Sequence, residues 1–394
     1  MQNQRQPKIN YGINPEILAW ARIKAGYSIK DIAGKLSKSE KEIERWEKGL
    51  SMPTYIQLEK LAYQIYKRPI ALFFFPKPPL ETDPKQSFRT LPDFEIENLT
   101  ADTRFQIRQA QALQIALKEL NDGANKAEFK IFKDIQLFPD DNITNSTEIV
   151  RDYLNVNLEE QIKWKDADTA LKKWRTIIEK NGIYIFKSAF KQKDVSGFCL
   201  QDSNFPVIYV NNSTSHTRQI FTILHELAHL LLNLGGITKV DDSYINFLKD
   251  SDKRLEIFSN EFAAELLVPT KDFEKYFDFK NWEYDSVNYA ARRYKVSREV
   301  ILRKLLDRNL IGKREYNKKA SEWTKEYLSA KKKLGGGNYY LNVATYLGEN
   351  YLNLTFRNFY RGKISQEQLA DYLNIKVKSV SSLEQILFER GFNF

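Results

Sequence analysis

The chain has 394 residues, with 61 Lys or Arg against 51 Asp or Glu and a net charge of +10. At about 150 residues per domain that length gives two or three folded units, which excludes a small stapled scaffold, and the 42% hydrophobic content excludes a disordered chain. Cys199 is the only cysteine, the polar start MQNQRQPKIN lacks an apolar signal core, and the early apolar run Ile70 to Phe75 stops at Pro76; a cytosolic protein with no internal disulfide and no membrane segment is expected.

The basic excess raises the expectation of an acidic partner such as nucleic acid. It is concentrated late: from Ser286 to Phe394 there are 21 Lys or Arg and 10 Asp or Glu. In chain order, residues 14 to 75 read as short helices. Asn14 caps the first, with Pro15 at its first position and Ile17, Leu18, Ala21 and Ile23 as its apolar face, and Gly26 stops it. Ser28 caps a second, with Asp31 completing the cap and Ile32, Ala33 and Leu36 inside. A third follows Ser39, with Ile43 and Trp46 inward and Gly49 at its end; a fourth starts near Thr54 with Leu58, Leu61, Ala62 and Ile65 on one face. Short helices joined by tight turns predict a helix-turn-helix domain.

The stretch from Pro76 to Asp93 is proline-containing and reads as a linker. Thr103 to Leu120 and Thr169 to Lys180 have helical periodicity, and IYIFK (Ile183 to Lys187), VSGFCL (Val195 to Leu200) and PVIYVN (Pro206 to Asn211) are β-rich runs that predict a small sheet. Helical periodicity resumes at Thr217 and continues to the end, with turns at Gly235-Gly236 and Gly335-Gly336-Gly337.

Two of the three histidines, His225 and His229, form HELAH inside the apolar helical stretch TRQIFTILHELAHLLLN; the third is His216. Residues i and i+4 lie on one helix face, so both imidazoles reach one tetrahedral cation, Zn²⁺ with a water being the natural occupant, and Glu226 between them is placed as general base for attack on a peptide carbonyl. No histidine follows His229, which leaves a carboxylate as third ligand. Asp241, Asp242, Asp250, Asp252, Glu256, Glu261 and Glu265 are the candidates. In RLEIFSNEFAAELLVP, Glu256 and Asn260 share a face, so that Glu256 would bind the metal while Asn260 hydrogen-bonds the outer nitrogen of a ligand histidine; Glu261 and Glu265 form a similar pair on another face.

HELAH followed by a helix of the form E-x-x-x-N-E-F-A-A-E-L-L-V-P resembles the ImmA/IrrE family of metallopeptidases. The resemblance implies metal ligands His225, His229 and Glu256, Glu226 as base, and Tyr244, in the intervening loop, as an aid to the transition state. NPEILAWARIKAGYSIKDIAGKL with IERWEKG, MPTYIQLEKLA and KRPIALFFFP is similar to the Xre-type helix-turn-helix domain found fused to this peptidase. SFRTLP and the tail GGNYYLNVATYLGENYL with YRGKISQEQLADYLNIKVKSV also look like that fused class. By resemblance the substrate is a protein, a helix-turn-helix repressor or a toxin-system partner, cut at one or a few sites. PVIYVN, as an open sheet edge before the histidine helix, would hold a substrate strand by main-chain hydrogen bonds.

On the third helix Lys41 and Arg45, with Lys38 in the turn before it, are the candidate DNA contacts, opposed by Glu40, Glu42 and Glu44. YAARRYKVSREVILRKLLDRNLI exposes Arg292, Arg293, Arg298, Arg303 and Lys304 as a phosphate-gripping unit, whereas ISQEQLADYLNIKVKSVSSLEQIL reads as a core-forming helix pair. The expected fold is α+β, mostly α: a helix-turn-helix domain (1–75), a linker and helix (76–125), a small-sheet zincin-like peptidase core (126–285) and a basic helical C-terminal domain (286–394). The expected partners are a protein substrate, DNA and a second copy of the chain, with no membrane. One alternative is a two-function protein whose peptidase stays latent until a signal rearranges the domains. A rival reading is a non-proteolytic transcription regulator or antitoxin that keeps the metal fold as a sensing or protein-binding scaffold.

Overall fold

The computed structural model describes residues 12–81, 88, 96–239, 242–331, 338–392 and 394. It forms two compact units, Met1–Gln86 with Asp93–Gln109, and Ser87–Pro92 with Ala110–Phe394.

The first unit is the helical bundle that the caps predict. Helices Pro15–Lys24, Ile29–Leu36 and Glu40–Glu47 begin at Asn14, Ser28 and Ser39, whose side chains accept backbone N–H groups of the first turn. Ser28 and Asp31 close a reciprocal capping box. Ile17, Ile32, Ile43, Trp46, Leu58 and Phe73 fill one core, and Arg22 clamps Glu47 through two hydrogen bonds of 2.7 and 2.9 Å, tying the first helix to the third. Ile23, expected on the apolar face, is 60% exposed: at about 100° per residue it falls on the side of the helix opposite Ile17, Leu18 and Ala21.

The second unit is built on a four-stranded sheet, β1 (Tyr184–Ser188), β2 (Val195–Leu200), β3 (Val207–Asn211) and β4 (Ile237–Lys239), in the order β1-β3-β2-β4. β1 runs parallel to β3, and β2 is antiparallel to both β3 and β4. PVIYVN is therefore an inner strand. The expected open edge at β3 does not exist, because β1 occupies one of its sides and β2 the other. The rim strands are β1 and β4, and β4 has only three residues, too few to show an alternating pattern in the sequence.

The helix His216–Leu231 packs on β2 and β3 and against helices Ala167–Lys180 and Asp250–Leu267. Between Gln219 and Leu231 every side chain except Phe221 is buried, which explains why this segment is apolar all round. The residues after 311 continue the same unit. Helix Tyr339–Leu347 packs on β1 and ends at Gly348, whose φ is +85° and where a Cβ would collide with the Arg175 guanidinium. Arg175 Nη1 donates to Thr345 O at 2.7 Å, and Phe186 of β1 meets Tyr351 edge-on at 5.1 Å. Among the described residues no helix is long and apolar enough to cross a membrane. The mostly helical chain with one small sheet and an N-terminal helix-turn-helix bundle matches the sequence expectation.

Candidate metal centre

Ser215 caps the histidine helix by accepting the Arg218 N–H at 3.2 Å. Two turns on, the i, i+4 spacing brings the Nε2 atoms of His225 and His229 within 2.9 Å of each other. The helix Asp250–Leu267 lies alongside and delivers Glu256, with Oε2 3.4 Å from His225 Nε2 and Oε1 3.4 Å from His229 Nε2. The three side chains are at most 1% exposed. A tetrahedral divalent cation held at about 2.0–2.2 Å by nitrogen and carboxylate oxygen needs ligand atoms about 3.3 Å apart. The two nitrogens stand 2.9 Å apart and each has a Glu256 oxygen 3.4 Å away, spacings of that size, so this donor set fits a metal.

The electrostatics agree. Burial pushes the Glu256 carboxyl up, but the imidazoles of His229 and His225 outweigh it and hold the group well below the usual carboxylate range. Burial likewise lowers the His229 imidazole, and the facing Glu256 more than restores it, so the net direction is upward. The Nδ1 atoms of both rings and Oε2 of Glu226 have no hydrogen-bond partner among the described residues.

Glu226 is fully buried beside the triangle, and burial raises its carboxyl above the usual range. Its Oε1 accepts a hydrogen bond from the hydroxyl of Thr238 on β4. The other acids stand elsewhere: Glu261 is exposed, Glu265 is paired with Lys304 at 2.9 Å, and Asp250 and Asp252 lie in the first turn of their helix. Asp241 lies outside the described residues, as do the side chains of Asp242 and Tyr244. Asn260 is one turn beyond Glu256, and it does not bond either imidazole Nδ1.

Two comparisons with known proteins bear on this geometry. A family model described as an IrrE N-terminal-like domain matches residues 178–306, and one described as a helix-turn-helix matches residues 18–62. The chain thus carries a segment similar to a helix-turn-helix domain and, after it, one similar to the IrrE N-terminal-like domain of a peptidase family. No curated protein matches it. The IrrE-like match spans β1 to β4, HELAH and the glutamate helix, so the sheet, the three converging ligands and Glu226 all fall inside it.

Three contributors to the IrrE-like site carry no local signal. Thr238 reaches Glu226 only because β4 pairs with β2. Cys199 on β2 accepts the Gly236 N–H through its sulfur at 3.3 Å and points its thiol at Leu234 O, 3.8 Å away, which ties β2 to the turn beside His229. Gly236 was legible only as a turn; a Cβ there would lie 2.7 Å from Cδ2 of His229, so the residue at this position must lack a side chain for the backbone to pass the ligand ring.

In the helix-turn-helix domain, Ile43 and Trp46 are buried as expected, and Lys41 and Arg45 are exposed on the third helix. Lys38 pairs with Glu42 at 3.1 Å. The basic segment after Tyr289 departs from expectation. Lys304 is 7% exposed and bonds Glu265, Arg293 lies 3.3 Å from Asp272, Arg298 bonds Glu326 at 2.7 Å and Arg303 bonds Asp307 at 3.0 Å. Four of the five cations expected to grip phosphate are neutralised by acids of the same unit, three of them remote in sequence.

Proposed function

We propose that the chain is a zinc-dependent endopeptidase and regulator that cleaves a partner protein, a helix-turn-helix repressor or a toxin-system protein, with its own helix-turn-helix domain binding DNA. The observation that carries this reading is the convergence of His225, His229 and Glu256 with Glu226 at their side. When bound, Zn²⁺ supplies Lewis acidity, polarising a peptide carbonyl and lowering the pKa of water. Glu226 takes the proton from the attacking water at Oε2, while Thr238 fixes Oε1 and so aims the carboxylate. Glu256 and the two imidazoles hold the cation, and the neighbouring sheet excludes bulk water. Full burial of Glu226 and the ligands supports a latent form, since a polypeptide reaches them only after the covering chain moves.

Elemental analysis of the purified protein beside His225→Ala and Glu256→Ala tests the metal half: one zinc per chain, lost in both variants, is expected, and a metal-free wild type overturns it. Mapping new protein N-termini in cells carrying wild type or Glu226→Gln tests the chemistry. Termini present only with the wild type support cleavage; the same termini in a zinc-replete Glu226→Gln variant overturn the role of Glu226.

A further inference from the structure

The segment expected to be a plain helix pair matches the N-terminal motif in register. Setting Ser28 on Ser365 runs without a gap to Glu47 on Glu384, and five of the twenty positions are identical: Ser28 and Ser365, Ala33 and Ala370, Leu36 and Leu373, Lys41 and Lys378, Glu47 and Glu384. The three-dimensional details follow the same register. Ser365 and Gln368 close a capping box as Ser28 and Asp31 do. Asn374 turns the chain at φ +52°, as Ser37 does at +53°. Leu369, Ala370, Val380 and Leu383 are buried where Ile32, Ala33, Ile43 and Trp46 are. Each motif is preceded by a helix, Pro15–Lys24 or Glu349–Tyr360, and the matched glutamates both reach back to it, Glu47 to Arg22 and Glu384 to the Tyr360 hydroxyl.

What differs is the outward face. At the matched positions the first motif presents Glu40, Glu42 and Glu44, and the second presents Val377, Ser379 and Ser381. From Leu373 to Leu383 the second motif has no acid, and Lys376 and Lys378 are exposed. Lys378, Ser381, Ser382 and Gln385 form a stripe at i, i+3, i+4 and i+7, all exposed, with the Tyr340 phenol bordering it against Ser379 and Ser382. Small hydroxyls let a helix approach base edges closely, glutamine pairs with adenine in the major groove, and lysines before and within the helix meet phosphate or guanine. Glu389, at the far end of the stripe, takes the Gln385 amide at 3.0 Å and would have to release it for a base; the rest of the face, free of acids and flanked by lysines on a helix-turn-helix frame, is complementary to a polyanion.

We propose that residues 349–389 are a second helix-turn-helix that binds duplex DNA in the major groove through Lys376, Lys378, Ser381 and Gln385. The site is separate from the metal centre and from the N-terminal motif, so it does not rest on the peptidase reading. The test uses the full chain and a mixed-sequence 30-base-pair duplex, titrated at several salt concentrations. Four proteins are compared: wild type, Lys376→Ala/Lys378→Ala, Ser381→Glu, and Lys41→Ala/Arg45→Ala as the N-terminal control.

The tail lysine pair should weaken binding about tenfold at low salt and lower the log–log salt slope by about 2, one per lost phosphate contact. Ser381→Glu, which installs the acid that the first motif has at Glu44, should also weaken it, and both losses should add to that of the N-terminal control. These residues are exposed, so thermal melting should not change. Wild-type affinity and slope in both tail variants, or a wild type that binds protein or single-stranded RNA but no duplex, would overturn the proposal.

Discussion

The helix Asp250–Leu267 carries two buried carboxylates with opposite fates. Near its start Glu256 faces two imidazoles; near its end Glu265 accepts the Lys304 ammonium at 2.9 Å, the Thr270 hydroxyl at 2.6 Å and the Thr270 N–H at 2.7 Å. Glu265 is complete: its charge is neutralised and its oxygens are occupied, so it is a structural pair. Glu256 faces two ring nitrogens 2.9 Å apart, with one carboxylate oxygen 3.4 Å from each, a donor set that a cation can occupy. Burial marks both groups as important, and the partner decides which one does chemistry.

The contrast breaks most sharply on metal content. Glu256→Ala and His225→Ala should drop bound metal from one ion per chain to near none, whereas Glu265→Ala should keep it; loss in Glu265→Ala would erase the distinction. Stability should follow the reverse order in chelator-treated protein. Glu265→Ala strands a buried ammonium and should cost about 3–5 kcal/mol in urea unfolding, and a loss below 1 kcal/mol would show that Lys304 reaches water instead. Gly236→Ala pushes a methyl into the His229 ring and should cost about 1–3 kcal/mol. It should also weaken metal binding, which Gly362→Ala, in open space, should not do.

The smallest effect is the pH dependence of the structural pair. Burial raises the Glu265 carboxyl, but Lys304 and the Thr270 bonds outweigh it, so the folded group titrates below its ordinary value. Its contribution is therefore present above the ordinary carboxylate range and fades as pH falls through the lowered folded value. Metal-free wild type should lose stability on acidification below about pH 4.5 more steeply than Glu265→Gln; parallel curves would remove this pair from the acid response.

The parts of this molecule that were legible are those whose signal is local. Caps and spacing placed the N-terminal helices, and HELAH announced itself because i, i+4 geometry is fixed within one helix. Glu256 stood out less, one acid among seven, until the neighbouring helix gave it a partner. Strand order was not legible: PVIYVN has the same residues whether it lies inside the sheet or at its rim. Nor was the fate of the basic segment after Tyr289, since Glu265, Asp272 and Glu326 neutralise it only once the chain is folded. Thr238 and Gly236 depend on the pairing of β4 with β2 for the same reason.

The packing of helix Tyr339–Leu347 on β1 has a consequence for solubility. β1 is a rim strand, and its first four residues, Tyr184, Ile185, Phe186 and Lys187, are all buried. Arg175 and Gly348 hold the helix in place beside it. A chain cut before residue 338 would lose this cover and present a hydrophobic rim able to recruit strands from other copies, the usual seed of aggregates. Its missing tail would then first be noticed as insolubility, before any change at the histidines.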